Sequence, residues 1–497
     1  MSETTFEQWE SSAAALSIES RAFIDGVYRA AASGRTFDCK SPIDGRLLAR
    51  VAECGEADVG AAVDAARRAF EQGVWRGLNP RERKAVLLRW AASIRTHARE
   101  LALLETLDAG KPIGDTTTVD IPGAAYCLEW FAEAIDKVSG EVVPADLHLV
   151  GLVTREPIGV VAAVVPWNFP LLMAAWKFAP ALAAGNSVVL KPSEKSPLTA
   201  IRIAQLAHEA GVPAGVFNVV PGAGETGKLL ALHGDVDCIA FTGSTQVGKL
   251  IMQYAGQSNL KRVWLELGGK SPNIVLDDCP DLERAAKAAA GAIFYNMGEM
   301  CTAGSRLLVH RSIKDAFLDK LLDAARTYAP GHPLDPRTSM GAIIDGVQFE
   351  RVLGYIEAGR AQARLLAGGS PANVVAGGLY IEPTIFDVTR RDTRIAREEI
   401  FGPVLSVISF DDVDEAVAIA NDTEYGLAAA VWTASLTRAH EVARRLRAGT
   451  VWVNCYDEGG DMNFPFGGYR QSGNGRDKSL HALEKYTELK STLIRLH

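Results

Sequence analysis

Three features of this sequence have residue types that could do chemistry together: a cysteine among small and polar residues, a carboxylate between two leucines, and an amide framed by prolines. Cys301 lies in Phe294-Tyr295-Asn296-Met297-Gly298-Glu299-Met300-Cys301-Thr302-Ala303-Gly304-Ser305-Arg306. No apolar run encloses it, so a substrate can reach it, and a partly exposed thiol beside backbone N–H groups can ionise and attack a carbonyl. Glu266 lies in Leu265-Glu266-Leu267-Gly268-Gly269-Lys270-Ser271-Pro272. Its apolar neighbours desolvate it and raise its pKa toward that of a useful base. Asn168, in Pro166-Trp167-Asn168-Phe169-Pro170, ends a strand-like run and offers an amide donor. If the Cys301 sulfur adds to a carbonyl, the Asn168 amide and the Cys301 backbone N–H can meet the oxyanion. One such preorganised donor is worth about 3–4 kcal/mol of barrier. Glu266 would then deprotonate the water that releases the acid.

Phosphate-binding signals come next. Gly222-Ala223-Gly224-Glu225-Thr226-Gly227 matches G-x-G-x-x-G after the strand-like Phe217–Val220, but no carboxylate stands about twenty residues on, near Phe241-Thr242-Gly243. Gly243-Ser244-Thr245-Gln246-Val247-Gly248 is the better candidate: it leaves one strand and enters a helix, so its N–H groups and the Ser244 hydroxyl can meet a phosphate. Lys191-Pro192-Ser193-Glu194 closes another strand with a cation and a carboxylate. Lys191 can hydrogen-bond ribose hydroxyls, and Glu194 can accept from them while repelling a 2′-phosphate. This favours NAD over NADP, although Lys191 and Ser193 could also receive that phosphate.

The elements that must position these groups follow from pattern. Short apolar runs and the turns Asp25-Gly26 and Asp44-Gly45 predict hairpin strands between Phe23 and Ala52. Helical spacing covers Ala57 to Phe70, Pro80 to about Ala102, and Ile121 to Val138. Beyond Val153 the order becomes strand, loop, helix, with strands at Ile158–Val165, Ser187–Leu190, Phe217–Val220 and Cys238–Phe241. A second such series has strands near Ser305–Val309, Val404–Ile408 and Ala428–Trp432. The fold class is therefore α/β, with two open doubly wound domains and ligands expected at strand C-termini in the cleft between them.

Size agrees, since 497 residues exceed what one core holds. With 48% hydrophobic and 23% charged residues, the chain has an ordinary globular composition. Its formal charge of −8, from 52 Lys plus Arg against 60 Asp plus Glu, argues against a nucleic-acid groove or an anionic membrane. Seven scattered cysteines without C-x-x-C spacing fit a reducing cytoplasm and predict neither a disulfide framework nor a metal site. The polar start Met1-Ser2-Glu3 has no signal-peptide pattern, and no apolar run reaches membrane-spanning length. None of the nine histidines lies in a motif near Cys301, which disfavours a Cys–His hydrolase.

Taken in order, these motifs together with Glu398-Glu399-Ile400-Phe401-Gly402-Pro403 and Pro465-Phe466-Gly467-Gly468-Tyr469-Arg470-Gln471-Ser472-Gly473 span nearly the whole chain. The set resembles the NAD(P)-dependent aldehyde dehydrogenase superfamily. The resemblance implies that Cys301 is the nucleophile, Glu266 the general base and Asn168 the oxyanion donor. It implies a dinucleotide groove lined by Trp167, Lys191, Ser193, Glu194, Gly224, Gly243, Ser244 and Leu267, with Glu399 and Phe401 at the nicotinamide ribose and ring. It further implies a Rossmann-like cofactor domain (1–138 and 156–267), a catalytic domain (268–477) and a small β oligomerisation extension (139–155 and 478–497). The extension would build a homotetramer, with Tyr486 to Leu496 adding to a neighbour's sheet. Relatives that hand the acyl group to coenzyme A lack a base at this position, so Glu266 favours hydrolysis. Two positions depart from the family pattern. Glu299 replaces a common Gln and is expected to point away from the thiol or pair with a cation, and Arg470 replaces a frequent Lys.

The substrate end is read from Tyr456-Asp457-Glu458-Gly459-Gly460-Asp461, three carboxylates around a Gly pair. Asp457, Glu458 and Asp461 suit a cationic tail, and Trp176 and Tyr456 could add cation–π contact. The segment Ser472 to Lys485 resembles the bacterial branch acting on γ-glutamyl-γ-aminobutyraldehyde, 4-guanidinobutyraldehyde and other ω-aminoaldehydes, which implies polyamine or arginine catabolism. A betaine-aldehyde or broad aliphatic aldehyde dehydrogenase is the alternative.

Overall fold

The computed structural model describes residues 4–458 and 461–496. Gly459-Gly460 of the acidic loop and Met1-Ser2-Glu3 lie outside the described residues. Two seven-stranded sheets organise the chain. The first runs in the order Arg262–Glu266, Cys238–Thr242, Val160–Val164, Ser187–Lys191, Phe217–Val219, then Ala22–Ile24 and Val27–Arg29. Its first five strands are parallel, and the hairpin expected early in the chain closes its edge in antiparallel fashion. The central strands Val160–Val164 and Ser187–Lys191 are buried along their whole length, which is why they read as continuous apolar runs instead of alternating ones.

The second sheet runs Arg364–Ala367, Thr384–Val388, Val404–Phe410, Arg306–His310, Pro272–Val275, Ala428–Trp432, Thr450–Val453, parallel except for its first strand. Helices cover both sheets. Each sheet has its own apolar core, one around Trp75, Trp90 and Phe178 and one around Phe294, Phe317 and Phe386. The helix expected from Pro80 to Ala102 is two helices, Pro80–Thr96 and Ala98–Ala109. The break is at His97, whose ring Nδ1 lies 2.8 Å from the Ser93 carbonyl and whose backbone leaves helical angles.

A third sheet of three strands sets Thr487–Arg495 beside Leu149–Pro157 and then Glu141–Val143. The C-terminal strand thus pairs first with this chain's own hairpin, in an unbroken antiparallel register from Thr487↔Pro157 to Arg495↔Leu149. Its entry is pinned by the Tyr486 carbonyl, which accepts from Ile158 N–H (3.2 Å) and Asn186 Nδ2 (2.9 Å).

Candidate active site

Helix Leu282–Phe294 delivers the chain to a turn in which Asn296, Met297 and Gly298 are all left-handed, with φ of 48°, 56° and 70°. Such backbone costs on the order of 1–3 kcal/mol per non-glycine residue and persists only where surroundings impose it. Here the surroundings do: Asn296 Nδ2 donates to the carbonyls of Asn168 and Glu299, both at 3.1 Å, and Gly341 N–H points at Met297 Sδ (3.3 Å). A side chain at Gly298 would run into the Gly402 carbonyl. Cys301 leaves this turn half-buried, with the Thr302 backbone N–H directed at its sulfur.

Asn168 is buried at the end of the strand Val160–Val164, where the loop turns into helix Pro170–Ala183. Its Nδ2 donates to the Glu299 carbonyl at 2.8 Å, which orients the amide and leaves its second N–H without a partner among the described residues. Its own carbonyl accepts from Lys111 Nζ at 3.0 Å, and that ammonium is paired with Asp120 (2.9 Å) over the Phe169 ring (3.6 Å). Glu299 is buried and has no cation pair among the described residues; its Oε1 accepts from Ile344 N–H at 3.2 Å.

Glu266 ends the strand Arg262–Glu266 and is bridged to Gly473, with Leu267 N–H donating to the Ser472 carbonyl at 3.0 Å. The family-like segment after Pro465 therefore fixes the backbone that carries this carboxylate. Only 4% of Glu266 is exposed, and its Oε1 has no hydrogen-bond partner among the described residues. Burial, followed by the charge of Asp477, pushes its carboxyl up to about 8. Burial also lifts the Cys301 thiol well above its ordinary value, and the charges of Glu266, Glu399 and Asp457 lift it further. A thiol in this setting is neutral at pH 7 and needs a base within reach to become a nucleophile.

Behind Glu266 lies a feature that the motifs did not single out. Lys177 and Lys485 both bond the Asp477 carboxylate, and all three side chains are buried. The signal available in sequence was Lys177 alone in the otherwise apolar helix Pro170–Ala183.

The predicted cofactor residues gather along the C-terminal ends of the first sheet. Lys191 is buried and reaches Glu194 at 3.2 Å, while Ser193 Oγ accepts from Lys195 N–H at 3.3 Å and so serves the turn. Ser244 caps helix Thr245–Gln257 through Val247 N–H (3.3 Å), and Gly248 is packed so closely on Leu267 that a side chain there would clash. Gly224 opens helix Gly224–Leu232 with nothing near the position of a Cβ. Across the cleft, Glu399 Oε1 accepts from Gly269 N–H at 2.9 Å, and burial pushes its carboxyl up to about 7. Phe401, left-handed at φ 62°, meets Trp167 edge to face at 5.2 Å. Thr242 Oγ1, at the end of the strand entering this groove, is buried without a partner among the described residues. The helix N-termini of Thr245–Gln257 and Gly224–Leu232, the Lys191–Glu194 pair and this free hydroxyl suit a dinucleotide with phosphates and ribose hydroxyls.

On the other side of Cys301 a cavity of about 520 Å³ opens to solvent, walled by Phe169, Trp176, Tyr295, Tyr456 and Phe466. Trp176 stacks edge to face on Phe466 at 5.1 Å, and Tyr456 is buried with its hydroxyl donating to the Thr302 carbonyl at 2.6 Å. Asp457 faces the cavity and accepts from Thr302 Oγ1 at 3.3 Å. Glu458 also lines it and pairs with Arg284 at 3.5 Å. Asp461 does not line it, because its carboxylate closes a local turn on Asn463 N–H (2.9 Å) and Nδ2 (2.7 Å). Lys478 does line it, which the reading of an all-acidic mouth had not included.

Comparison with known proteins places this geometry. The sequence pattern of the aldehyde dehydrogenase family matches residues 28–492. A solved γ-glutamyl-γ-aminobutyraldehyde dehydrogenase from Burkholderia cenocepacia J2315 is 81% identical, covering 99% of this chain and 100% of its own, with a TM-score of 0.98. The Pseudomonas syringae indole-3-acetaldehyde dehydrogenase AldA, solved with NAD+ and IAA, is 64% identical over 99% and 100% of the two chains, also at a TM-score of 0.98. The NADP/NAD-dependent aldehyde dehydrogenase PuuC of Escherichia coli K12 is 55% identical over 98% of each chain. With a thiol, an unpartnered carboxylate and an oriented amide converging between two αβ sheets, and relatives matching from end to end, this chain belongs to the aldehyde dehydrogenase family.

Proposed function

We propose that this enzyme oxidises γ-glutamyl-γ-aminobutyraldehyde or a related ω-amino- or guanidinoaldehyde to its acid with NAD and water, through a Cys301 thiohemiacetal and thioester. The observation that carries the reading is Glu266 Oε1: a buried carboxylate oxygen with no protein partner, close enough to Cys301 for its charge to raise the thiol. Leaving such an acceptor unpaired costs about 1–3 kcal/mol, and a water that Glu266 deprotonates is a fitting occupant.

Cys301 gives its proton to Glu266 as its sulfur adds to the aldehyde carbon. The Asn168 N–H left free by its bond to Glu299 O and the Cys301 backbone N–H hold the resulting oxyanion. NAD, bound in the groove, supplies the hydride acceptor that turns the adduct into a thioester. Trp167, Lys191, Ser193, Glu194, Gly224, Gly243, Ser244 and Leu267 would hold the dinucleotide, with Glu399 and Phe401 at its ribose and nicotinamide ring. The partly exposed Glu194 carboxylate favours a 2′-hydroxyl over a 2′-phosphate, so NADP is the weaker cofactor. Glu266 first releases the Cys301 proton to solvent and then takes one from water as the water oxygen attacks the thioester; the C–S bond breaks, and Glu266 returns its proton to the Cys301 sulfur as the acid leaves.

Trp176, Tyr456, Asp457 and Glu458 are assigned to the substrate, whose amino-bearing tail fits the acidic rim, and the product acid would feed polyamine or arginine catabolism. The apolar walls favour a second reading, a broad aliphatic or aryl aldehyde dehydrogenase. NADH formation with NAD and NADP in parallel across γ-glutamylated, ω-amino, guanidino, quaternary and plain aliphatic aldehydes decides between them. Higher kcat/KM for the amino-bearing group supports the first reading, and equal values support the second.

The same reading divides the chain into a cofactor domain (1–138 and 156–267), a catalytic domain (268–477) and an oligomerisation extension (139–155 and 478–497), in a cytoplasmic homotetramer. The strand Thr487–Arg495 supports it, with Leu489 and Leu493 exposed and its outer edge unpaired among the described residues. The free state of all seven cysteines fits the cytoplasm.

A further inference from the structure

Among the described residues, charge enters the substrate cavity at three of the lining side chains, Asp457, Glu458 and Lys478. Glu458 is answered by Arg284 at 3.5 Å. Lys478 is different. Only 8% of it is exposed, its ammonium stands 5.5 Å from the centre of the Trp176 ring, and it makes no hydrogen bond or ion pair with any described residue. Burial lowers its basicity, the charges of Asp457 and Asp461 act on it from beyond ion-pair distance, and Asp457, the carboxylate on the cavity wall, is itself engaged by the Thr302 hydroxyl.

The backbone explains why Lys478 makes no ion pair at contact distance among the described residues. Lys478 and Ser479 are both left-handed, with φ of 60° and 51°, directly after Asp477. This turn sends Asp477 into the core, where Lys177 and Lys485 hold it, and leaves the next side chain to the cavity. Two consecutive left-handed residues thus set a cation that has no contact partner among the described residues on the wall of the binding cavity.

We propose that Lys478 and Asp457 form a subsite that reads a zwitterion: Lys478 takes a carboxylate at the end of the substrate remote from the aldehyde, and Asp457 takes an ammonium beside it. A plain amine would satisfy Asp457 and leave Lys478 facing a like charge. An α-amino-acid head group satisfies both, and the aromatic walls of the cavity accommodate the uncharged chain. The inference rests on the aminoaldehyde reading above and narrows it to aldehydes that end in an amino acid.

The test is steady-state KM for three aldehydes of equal length. These are γ-glutamyl-γ-aminobutyraldehyde, its analogue without the α-carboxylate (4-aminobutanoyl) and its analogue without the α-amino group (glutaryl). A charge-assisted contact of this kind is worth about a tenfold change in affinity. The wild type is therefore expected to show a KM for the γ-glutamyl compound about tenfold below that of either analogue. In Lys478→Met the advantage over the 4-aminobutanoyl analogue collapses to about one, Lys478→Arg keeps it, and Asp457→Asn instead erases the advantage over the glutaryl analogue. A wild-type KM for the γ-glutamyl compound equal to that of the 4-aminobutanoyl analogue, with both below that of the glutaryl analogue, would overturn the subsite while leaving the aminoaldehyde reading intact. A ratio unchanged in Lys478→Met would do the same. Oxidation of plain aldehydes with none of the three turned over would instead remove the reading on which the subsite rests.

Discussion

Glu266 and Asp477 are buried carboxylates within charge reach of each other, and the protein treats them in opposite ways. Burial alone would raise both. At Asp477 the ammonium groups of Lys177 and Lys485 outweigh burial and hold the carboxyl below its ordinary range. At Glu266 no cation makes contact, burial prevails, and the carboxyl rises to about 8. The contrast separates a structural charge from a chemical one. Asp477 is permanently ionised and anchors the segment whose residues Ser472 and Gly473 brace the Glu266 backbone. Glu266 is left able to gain and lose a proton near neutral pH.

The largest effect expected from breaking this arrangement is at the sulfur that Glu266 serves. Cys301→Ala should lower kcat by at least about 10⁴-fold, since no other thiol lines the cavity. On the structural side, Asp477→Asn strands two buried lysines, and urea denaturation should show a loss of about 3–5 kcal/mol. Asn168→Ala removes one oriented donor and should cost about 10²–10³ in kcat with little change in thermal midpoint.

A smaller and opposite effect is expected when Glu266 itself is neutralised. Its carboxyl, ordinarily near 4.5, is raised in the fold, so its contribution to stability is full below that value and is lost as pH climbs through about 8. Glu266→Gln, which never ionises, should therefore gain in thermal midpoint relative to the wild type between pH 7 and 9 while losing turnover. For the same reason wild-type kcat should rise with pH through about 8 where thioester hydrolysis limits the rate.

How far this was legible in sequence follows the same division. The parallel strands were visible because strands buried on both faces must be continuously apolar, as Val160–Val164 and Ser187–Lys191 are. Cys301, Glu266 and Asn168 were visible because each breaks its local texture. The Lys177–Asp477–Lys485 cluster was not, because its members lie 300 and 8 residues apart and meet only through tertiary packing. Lys478 was hidden for a further reason: its direction is set by a left-handed backbone that no side-chain pattern announces. Asp461 misled in the converse way, since three acids close in sequence do not share a face once a local turn takes one of them.

The central claim is that an acyl group rests on Cys301 until Glu266 activates water. It is tested most directly in Glu266→Gln mixed with NAD and an oxidisable aldehyde, by following NADH in the first turnover and the mass of the intact protein. The account predicts a burst of about one NADH per active site, then a stall, with the acyl mass on Cys301. Continued turnover at the wild-type rate, or a stalled enzyme that carries no adduct, would contradict it.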